Sequence, residues 1–227
     1  MNSPILITGT SKRVGHALVR SLVEAGHEVV TVNRSIADGQ HDGVLNFQAD
    51  LSRLDDRLVL IDKLKSAVPS LRGVIHNASL WLDDSLDNLD YMFRLHVEAP
   101  FHLNNELTDL LAQATRADII HICDESASRG SKSHIAYAAT KAALQNMTLS
   151  FAATLAPNIR VNSISPGLLI FKEDSNDHYK QETLAKAVLP YEPGVQPLLD
   201  AVHFLLNSTY STGSNLVVNG GRHLKRK

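Results

Sequence analysis

What most constrains this chain is a rhythm in which short apolar runs alternate with longer segments of helical period. "PILIT", "EVVTVN", "GVIHNAS", "ADIIHIC" and "IRVNSIS" read as strands. Between them, "RVGHALVRSLVEAG" reads as a helix closing on Gly26 and "RLDDRLVLIDKLKSAV" as an amphipathic helix. The segment from about Leu86 to Ala114 is expected to be largely helical, and "IAYAATKAALQNMTLSFAATLA" to be one long helix. Alternation of this kind predicts parallel strands joined by crossover helices, an α/β doubly wound sheet of about seven strands flanked by helices. With 227 residues and 44% apolar content, the chain is expected to form a single domain over 1–227. The one long irregular stretch, roughly Gly167 to Pro197, is expected to be a functional lid.

Charge and cysteine content narrow the partners. A formal charge of −2 and a pI near 6.6 give no basic excess for nucleic acid or an anionic membrane. The lone Cys123 excludes an internal disulfide, no metal site is expected, and no run approaches the roughly 20 apolar residues of a membrane span. "MNSPILITGT" lacks the character of a signal peptide, so the cytoplasm is the expected compartment.

The first strand runs into "TGTSKRVG", Thr8 to Gly15, and then into a helix. Glycines in a first strand-to-helix turn let the backbone approach a pyrophosphate, whose charge the helix start stabilises. Gly9 and Gly15 suit that role, although an ordinary tight turn uses the same residues. Lys12 and Arg13 add two cations and Val14 completes the turn. At the end of the second strand an acid would bond a ribose and repel a 2′-phosphate, whereas this chain has Asn33 and Arg34. A guanidinium clamps phosphate well, which favours NADPH over NADH unless Arg34 is only a solvated loop cation.

Tyr137 and Lys141, four residues apart, would share a helix face. An ammonium there is expected to stabilise phenolate and lower the tyrosine pKa. Tyr-x-x-x-Lys also occurs by chance on helix surfaces, but here it follows the apolar run Ile119 to Cys123.

Taken in order, "TGTSKRVG", Ala49-Asp50-Leu51, "HNAS" from His76 to Ser79, Tyr137 to Lys141 and "VNSISPG" resemble the short-chain dehydrogenases/reductases along essentially the whole chain. The resemblance implies a Rossmann-type fold. It further implies that Asp50 and Leu51 contact adenine, that Asn77, Ala78 and Ser79 line the cofactor channel, and that Pro166, Gly167, Leu168 and Leu169 hold the nicotinamide end. It also implies a homotetramer with two-fold interfaces built on long helices.

Two positions depart from the usual pattern. Asp124 stands thirteen residues before Tyr137, where the family has serine, and His96 stands where it has asparagine. Asp124, Lys12-Arg13 and "NAS" in place of "NAG" resemble the pteridine reductase group. "HNASLW", "RGSKSHIAYAATKAALQNMT" and "GGRHLK" are most similar to its bacterial members acting on 7,8-dihydromonapterin. That likeness implies hydride to C6 and proton to N5 of a dihydropterin imine, with Asp124 assisting the proton and some dihydrofolate reduction besides. Ser79, Trp81, Asp124 and Tyr137 would then contact substrate, Trp81 by stacking, unless it is simply packed under a loop. The alternatives are a carbonyl reductase of ketones or 3-oxoacyl thioesters, against which Asp124 and Trp81 argue, and a non-catalytic NADP(H)-binding regulator, against which Tyr137 and Lys141 argue.

Overall fold

The computed structural model describes residues 3–35 and 44–225. Seven strands form one parallel sheet in the order β3-β2-β1-β4-β5-β6-β7. They are β1 (Ile5–Thr8), β2 (Val29–Asn33), β3 (Leu45–Gln48), β4 (Gly73–His76), β5 (Ala117–Ile122), β6 (Ile159–Pro166) and β7 (Asn215–Val218). The interior strands β1, β2, β4 and β5 are buried at every residue, as strands covered on both faces must be. The edge strands β3 and β7 are only four residues each, and Leu45 and Val217 there stay exposed.

The crossovers are α1 (Arg13–Glu24), α2 (Leu54–Ala67), α3 (Leu86–Phe93), α4 (Ala99–Glu106), α5 (Thr108–Ala112), α6 (Ser126–Arg129), α7 (Ile135–Leu155), α8 (Asp177–Leu184) and α9 (Gln196–Asn207). One core layer packs Leu60 and Leu64 of α2, Leu103 of α4 and Phe151 of α7 against Val74 and Ile119 of the sheet. The other packs Leu18 and Leu22 of α1 and Val202 and Leu205 of α9 against Ile7, Ile75 and Ile120. Helix α7 is therefore held by its buried face with Tyr137 and Lys141 both inward.

One expectation changes. The stretch from Gly167 to Pro197 is not wholly irregular, because it contains α8, started by Asn176 accepting a bond from the Tyr179 N–H at 2.8 Å. Between α3 and α4 the chain makes a π turn, Arg94–Glu98, of the sort that often marks a functional position. His96 sits in that turn.

At the foot of β5, Asp118 is buried and ion-paired to Arg72 and Arg160, with the Arg116 Nε 3.9 Å away. Arg72 and Arg116 also bond the carbonyls of Leu206 and Ser208, which ties α9 to the sheet end remote from the glycine turn.

Candidate active site

The chain turns from β1 out to β2 and β3, then returns to lay β4 on the other side of β1. Ligands in open α/β sheets bind at that reversal, beyond the carboxyl ends of the strands. The glycine turn lies there. Gly9 has φ +71, and a Cβ on it would stand 2.6 Å from the Ala78 Cα. Gly15 packs as closely, its Cβ falling 2.1 Å from the Gly9 oxygen. Arg13 adopts φ +48, a left-handed conformation usual for glycine, and its guanidinium donates to the Ile170 carbonyl at 2.6 Å. Helix α1 begins with no capping side chain and no acid in its first turn. Its free N–H groups, flanked by exposed Lys12 and Arg13 and by Val14, thus fit a dinucleotide pyrophosphate.

Asn33, at the end of β2, turns toward the glycine loop. Its Oδ1 accepts from the Thr10 N–H at 2.6 Å and its Nδ2 donates to the Thr10 hydroxyl at 2.8 Å, so it braces the glycine turn. Arg34 is exposed just beyond β2 and donates to the Tyr91 hydroxyl at 3.2 Å. Asp50 accepts from the N–H and hydroxyl of Ser52 at 3.0 and 2.6 Å, which opens the turn into α2, and the Leu51 side chain is buried in the core. Asn77 donates to the carbonyls of Thr8 and Gly9, while the Ala78 N–H reaches the Thr8 hydroxyl. Across the cleft, Gly167 lies against Asn219, where a Cβ would come within 2.9 Å. Leu168 is half-buried, and the buried Leu169 accepts from the Gly194 N–H at 3.1 Å.

Asp124, Tyr137 and Lys141 converge. The Tyr137 hydroxyl donates to Asp124 Oδ2 at 3.3 Å, and the other carboxylate oxygen accepts from the Ser126 N–H at 2.8 Å. Lys141 is buried, donates to the Ile122 carbonyl at 2.9 Å and stands 5.8 Å from the Tyr137 ring centre. Burial lowers its pKa. The expectation of an acidified tyrosine is reversed. Burial, then the Asp124 charge, push the phenol well above its ordinary value, so Tyr137 is a protonated donor.

Trp81 lies against His134 and Tyr137 in tilted ring contacts, its centre 4.5 and 4.8 Å from theirs, yet is 58% exposed. Three residues on, Asp84 accepts from the N–H groups of Ile135 and Ala136 at 3.0 and 2.9 Å, capping α7 from another segment. Sequence reasoning misses that cap, since nothing local to either segment signals a partner 51 residues away.

His96, 1% exposed, is a strut. Its Nε2 accepts from the Leu80 N–H at 3.0 Å and lies 3.2 Å from the Ser79 hydroxyl. Its Nδ1 must therefore carry the proton and donate to Thr140 at 2.9 Å, because the Thr140 hydroxyl itself donates to the Tyr137 carbonyl. Burial, then Lys141, lower its pKa to about 2, so it stays neutral. Beneath it runs a second chain: His76 to Asn104 at 2.8 Å, Asn104 to His121 at 3.1 Å and His121 to Thr148 at 2.9 Å.

A glycine turn at the reversal and a buried tyrosine and lysine at the end of β5 have a counterpart among known proteins, for the short chain dehydrogenase profile matches residues 3–178. The chain belongs to that family. This short chain dehydrogenase is 41% identical to the dihydromonapterin reductase of Citrobacter koseri, over 98% of this chain and 97% of that one. It is 40% identical to the dihydromonapterin reductase of Escherichia coli K12, with the same coverage. Among solved structures, the alternative dihydrofolate reductase 1 of Brucella canis, complexed with NADP, is 27% identical with a TM-score of 0.89 and covers 100% of this chain and 96% of its own.

Proposed function

We propose that this chain is an NADPH-dependent reductase of dihydropterins, with 7,8-dihydromonapterin the expected substrate and dihydrofolate a lesser one by chemistry. The observation that carries the reading is the Asp124 carboxyl, one oxygen fixed by the Ser126 N–H and the other facing the Tyr137 hydroxyl at 3.3 Å. The names of the relatives support it. A ketone oxygen and an imine nitrogen both gain a proton as the carbon gains hydride; a serine can only polarise the acceptor and leaves the proton to the phenol, whereas a carboxyl at 124 can itself pass a proton to an imine nitrogen. The bound nicotinamide supplies that hydride to C6.

The residues take these roles in the proposal. Asp124 takes up a proton from solvent water and passes it to N5, and the phenol of Tyr137, held protonated by burial, bonds the carboxylate left behind. Lys141, anchored on Ile122, holds the cofactor ribose beside Tyr137. Gly9, Lys12, Arg13, Val14 and Gly15 hold the pyrophosphate, and Arg34 the 2′-phosphate. Asp50 and Leu51 lie at adenine, Asn77, Ala78 and Ser79 along the channel, and Pro166 to Leu169 at the nicotinamide. Trp81 forms one wall of the pterin slot, and residues 167–197, α8 included, close over it as a lid.

Two coarser features complete the reading. Among the described residues no helix is long and apolar enough to cross a membrane; a cytoplasmic location is part of the reading we propose. Homotetramer assembly is supported by Phe101 of α4 and Leu149 of α7, 55% and 56% exposed on neighbouring helices.

Purified protein with NADPH, assayed against a panel of dihydropterins, dihydrofolate and ketones, should turn over the dihydropterins best. Asp124→Asn should cut that turnover by about two to four orders of magnitude while NADPH still binds. Preference for a ketone, or near wild-type pterin turnover by the asparagine variant with chemistry rate-limiting, would refute the reading.

A further inference from the structure

Glu125, the neighbour of Asp124, is 6% exposed and is ion-paired to two arginines. Arg129 grips it twice, Nε donating to Oε2 at 2.8 Å and Nη2 donating to Oε1. The second cation comes from far along the chain: Arg222 Nε lies 3.0 Å from Oε1. One bidentate arginine already neutralises a carboxylate. What Arg222 adds is a connection.

At one end of that connection is the aim of Asp124. Its carboxylate is oriented by the Ser126 N–H, and Ser126 opens α6, a single turn of four residues. One turn has little stability of its own. Its placement depends on the Glu125 N–H bond to the Pro166 carbonyl at 3.0 Å and on the Glu125 clasp. At the other end is the lid. Arg222 begins a short 3-10 turn after Gly220 and Gly221, both at positive φ. The Gly220 carbonyl accepts from the Leu189 N–H at 2.9 Å, Lys225 Nζ donates to the Ala187 carbonyl at 3.3 Å, and a Cβ on Gly221 would come 3.1 Å from the Val188 side chain. Lid residues 187–189, the C-terminal turn, Glu125, α6 and Asp124 thus form one continuous set of contacts.

We propose that Arg222 and Glu125 are a positioning pair through which the C-terminal turn, seated on the lid, sets the orientation of Asp124. The functional consequence rests on the proposed proton-donor reading of Asp124; the structural one does not. Arg222→Gln leaves Glu125 still held by Arg129, so the variant should fold.

The experiment uses full-length protein with NADPH bound and compares Arg222→Gln, Glu125→Gln and the double variant with wild type. Turnover of dihydropterin should fall at least about tenfold in Arg222→Gln, with NADPH affinity unchanged within about twofold, as misaimed groups act on chemistry rather than on cofactor binding. Arg222→Lys should recover only part of the loss, since a point charge cannot hold the same geometry. In Arg222→Gln and in Glu125→Gln the Ser126 amide, whose N–H orients Asp124, should exchange with solvent at least about tenfold faster, and the double variant no faster than the faster single one. A role confined to folding would instead speed exchange across the whole sheet and weaken NADPH binding. If the Ser126 amide exchanges at the wild-type rate in Arg222→Gln, the pair is overturned. Wild-type turnover by Asp124→Asn would instead refute the proton-donor reading, and the exchange would still decide the pair.

Discussion

Three buried histidines beneath the site should make this protein lose stability steeply in mild acid. His76, His96 and His121 are 4%, 1% and 0% exposed, and each is held in a neutral tautomer. Asn104 donates to His121 Nε2, and the Leu80 N–H points at His96 Nε2, so a second ring proton would face a donor in both cases. Burial lowers the His76 pKa to about 4 and that of His96 to about 2, and it holds His121 well below its ordinary value. In the unfolded chain all three titrate near pH ~6.5. Below that pH the unfolded state binds protons that the folded state refuses, so stability is fully present above pH ~6.5 and falls as the pH drops toward the folded pKa values.

The loss is large. At pH ~5.5 each unfolded histidine carries about 0.9 proton, so the three together give a slope of roughly 4 kcal/mol per pH unit. Between pH ~7 and ~5.5 they remove about 4 kcal/mol, a large share of the ~5–15 kcal/mol that holds a typical domain together. For a chain of this size the melting temperature should drop by roughly 8–16 °C. Urea midpoints measured across this range, with proton uptake on unfolding from calorimetry in buffers of different ionisation enthalpy, test the reasoning. His96→Asn should lower the uptake at pH ~5.5 by about 0.9 proton. A total loss under about 1 kcal/mol between pH ~7 and ~5.5 would mean that the histidines are charged in the folded protein, and the hydrogen-bond directions assigned to them would be wrong.

Other outcomes follow from single contacts. Arg34→Ala should raise the Michaelis constant for NADPH more than about tenfold and leave that for NADH nearly unchanged, because only the 2′-phosphate loses its partner; equal use of both cofactors by the wild-type protein would refute the clamp. Trp81→Ala should weaken dihydropterin binding to the NADPH complex by roughly 1–3 kcal/mol, and fluorescence of this sole tryptophan at saturating NADPH reports the same site in the wild type. Asp118→Asn, which leaves three arginines facing one another, should cost about 3–5 kcal/mol in denaturant unfolding, with cofactor affinity unchanged if the staple at the foot of β5 is only structural.

Features that rest on local pattern are legible in the amino-acid sequence alone. "ILIT", "VVTVN" and "ADIIHI" are strands because each buries apolar residues on both faces, and the Tyr137 and Lys141 spacing places both on the buried side of α7. The acid at 124 is legible by its distance from Tyr137. Features built by residues far apart in the chain are not. Asp84 caps a helix 51 positions on, Arg222 reaches Glu125 from the far end of the chain, and Asn33 turns back to Thr10 rather than outward. The direction of the tyrosine shift escapes the sequence for a related reason. Spacing reveals that a lysine is near, but not that burial and a carboxylate raise the phenol.

This balance explains why the two departures from the family pattern belong together. A serine at position 124 would carry no charge, and Lys141 would then be the nearest ion to the phenol. An aspartate adds its charge to the effect of burial: the Tyr137 hydroxyl donates to it and is held protonated, and in the function we propose the carboxyl is then the group that passes a proton to the ring nitrogen. Such a site needs neighbours that do not compete for that proton. His96 meets the requirement, since its neutral ring is locked by Leu80 and Thr140 and its pKa is lowered to about 2. An imidazole free to titrate beside Tyr137 would share the proton over the working pH range, whereas this one only braces the Ser79-Leu80 segment against α7. His96→Asn should therefore leave the pH limbs of turnover in place while lowering its magnitude. A shift of either limb would show that His96 takes part in the proton traffic.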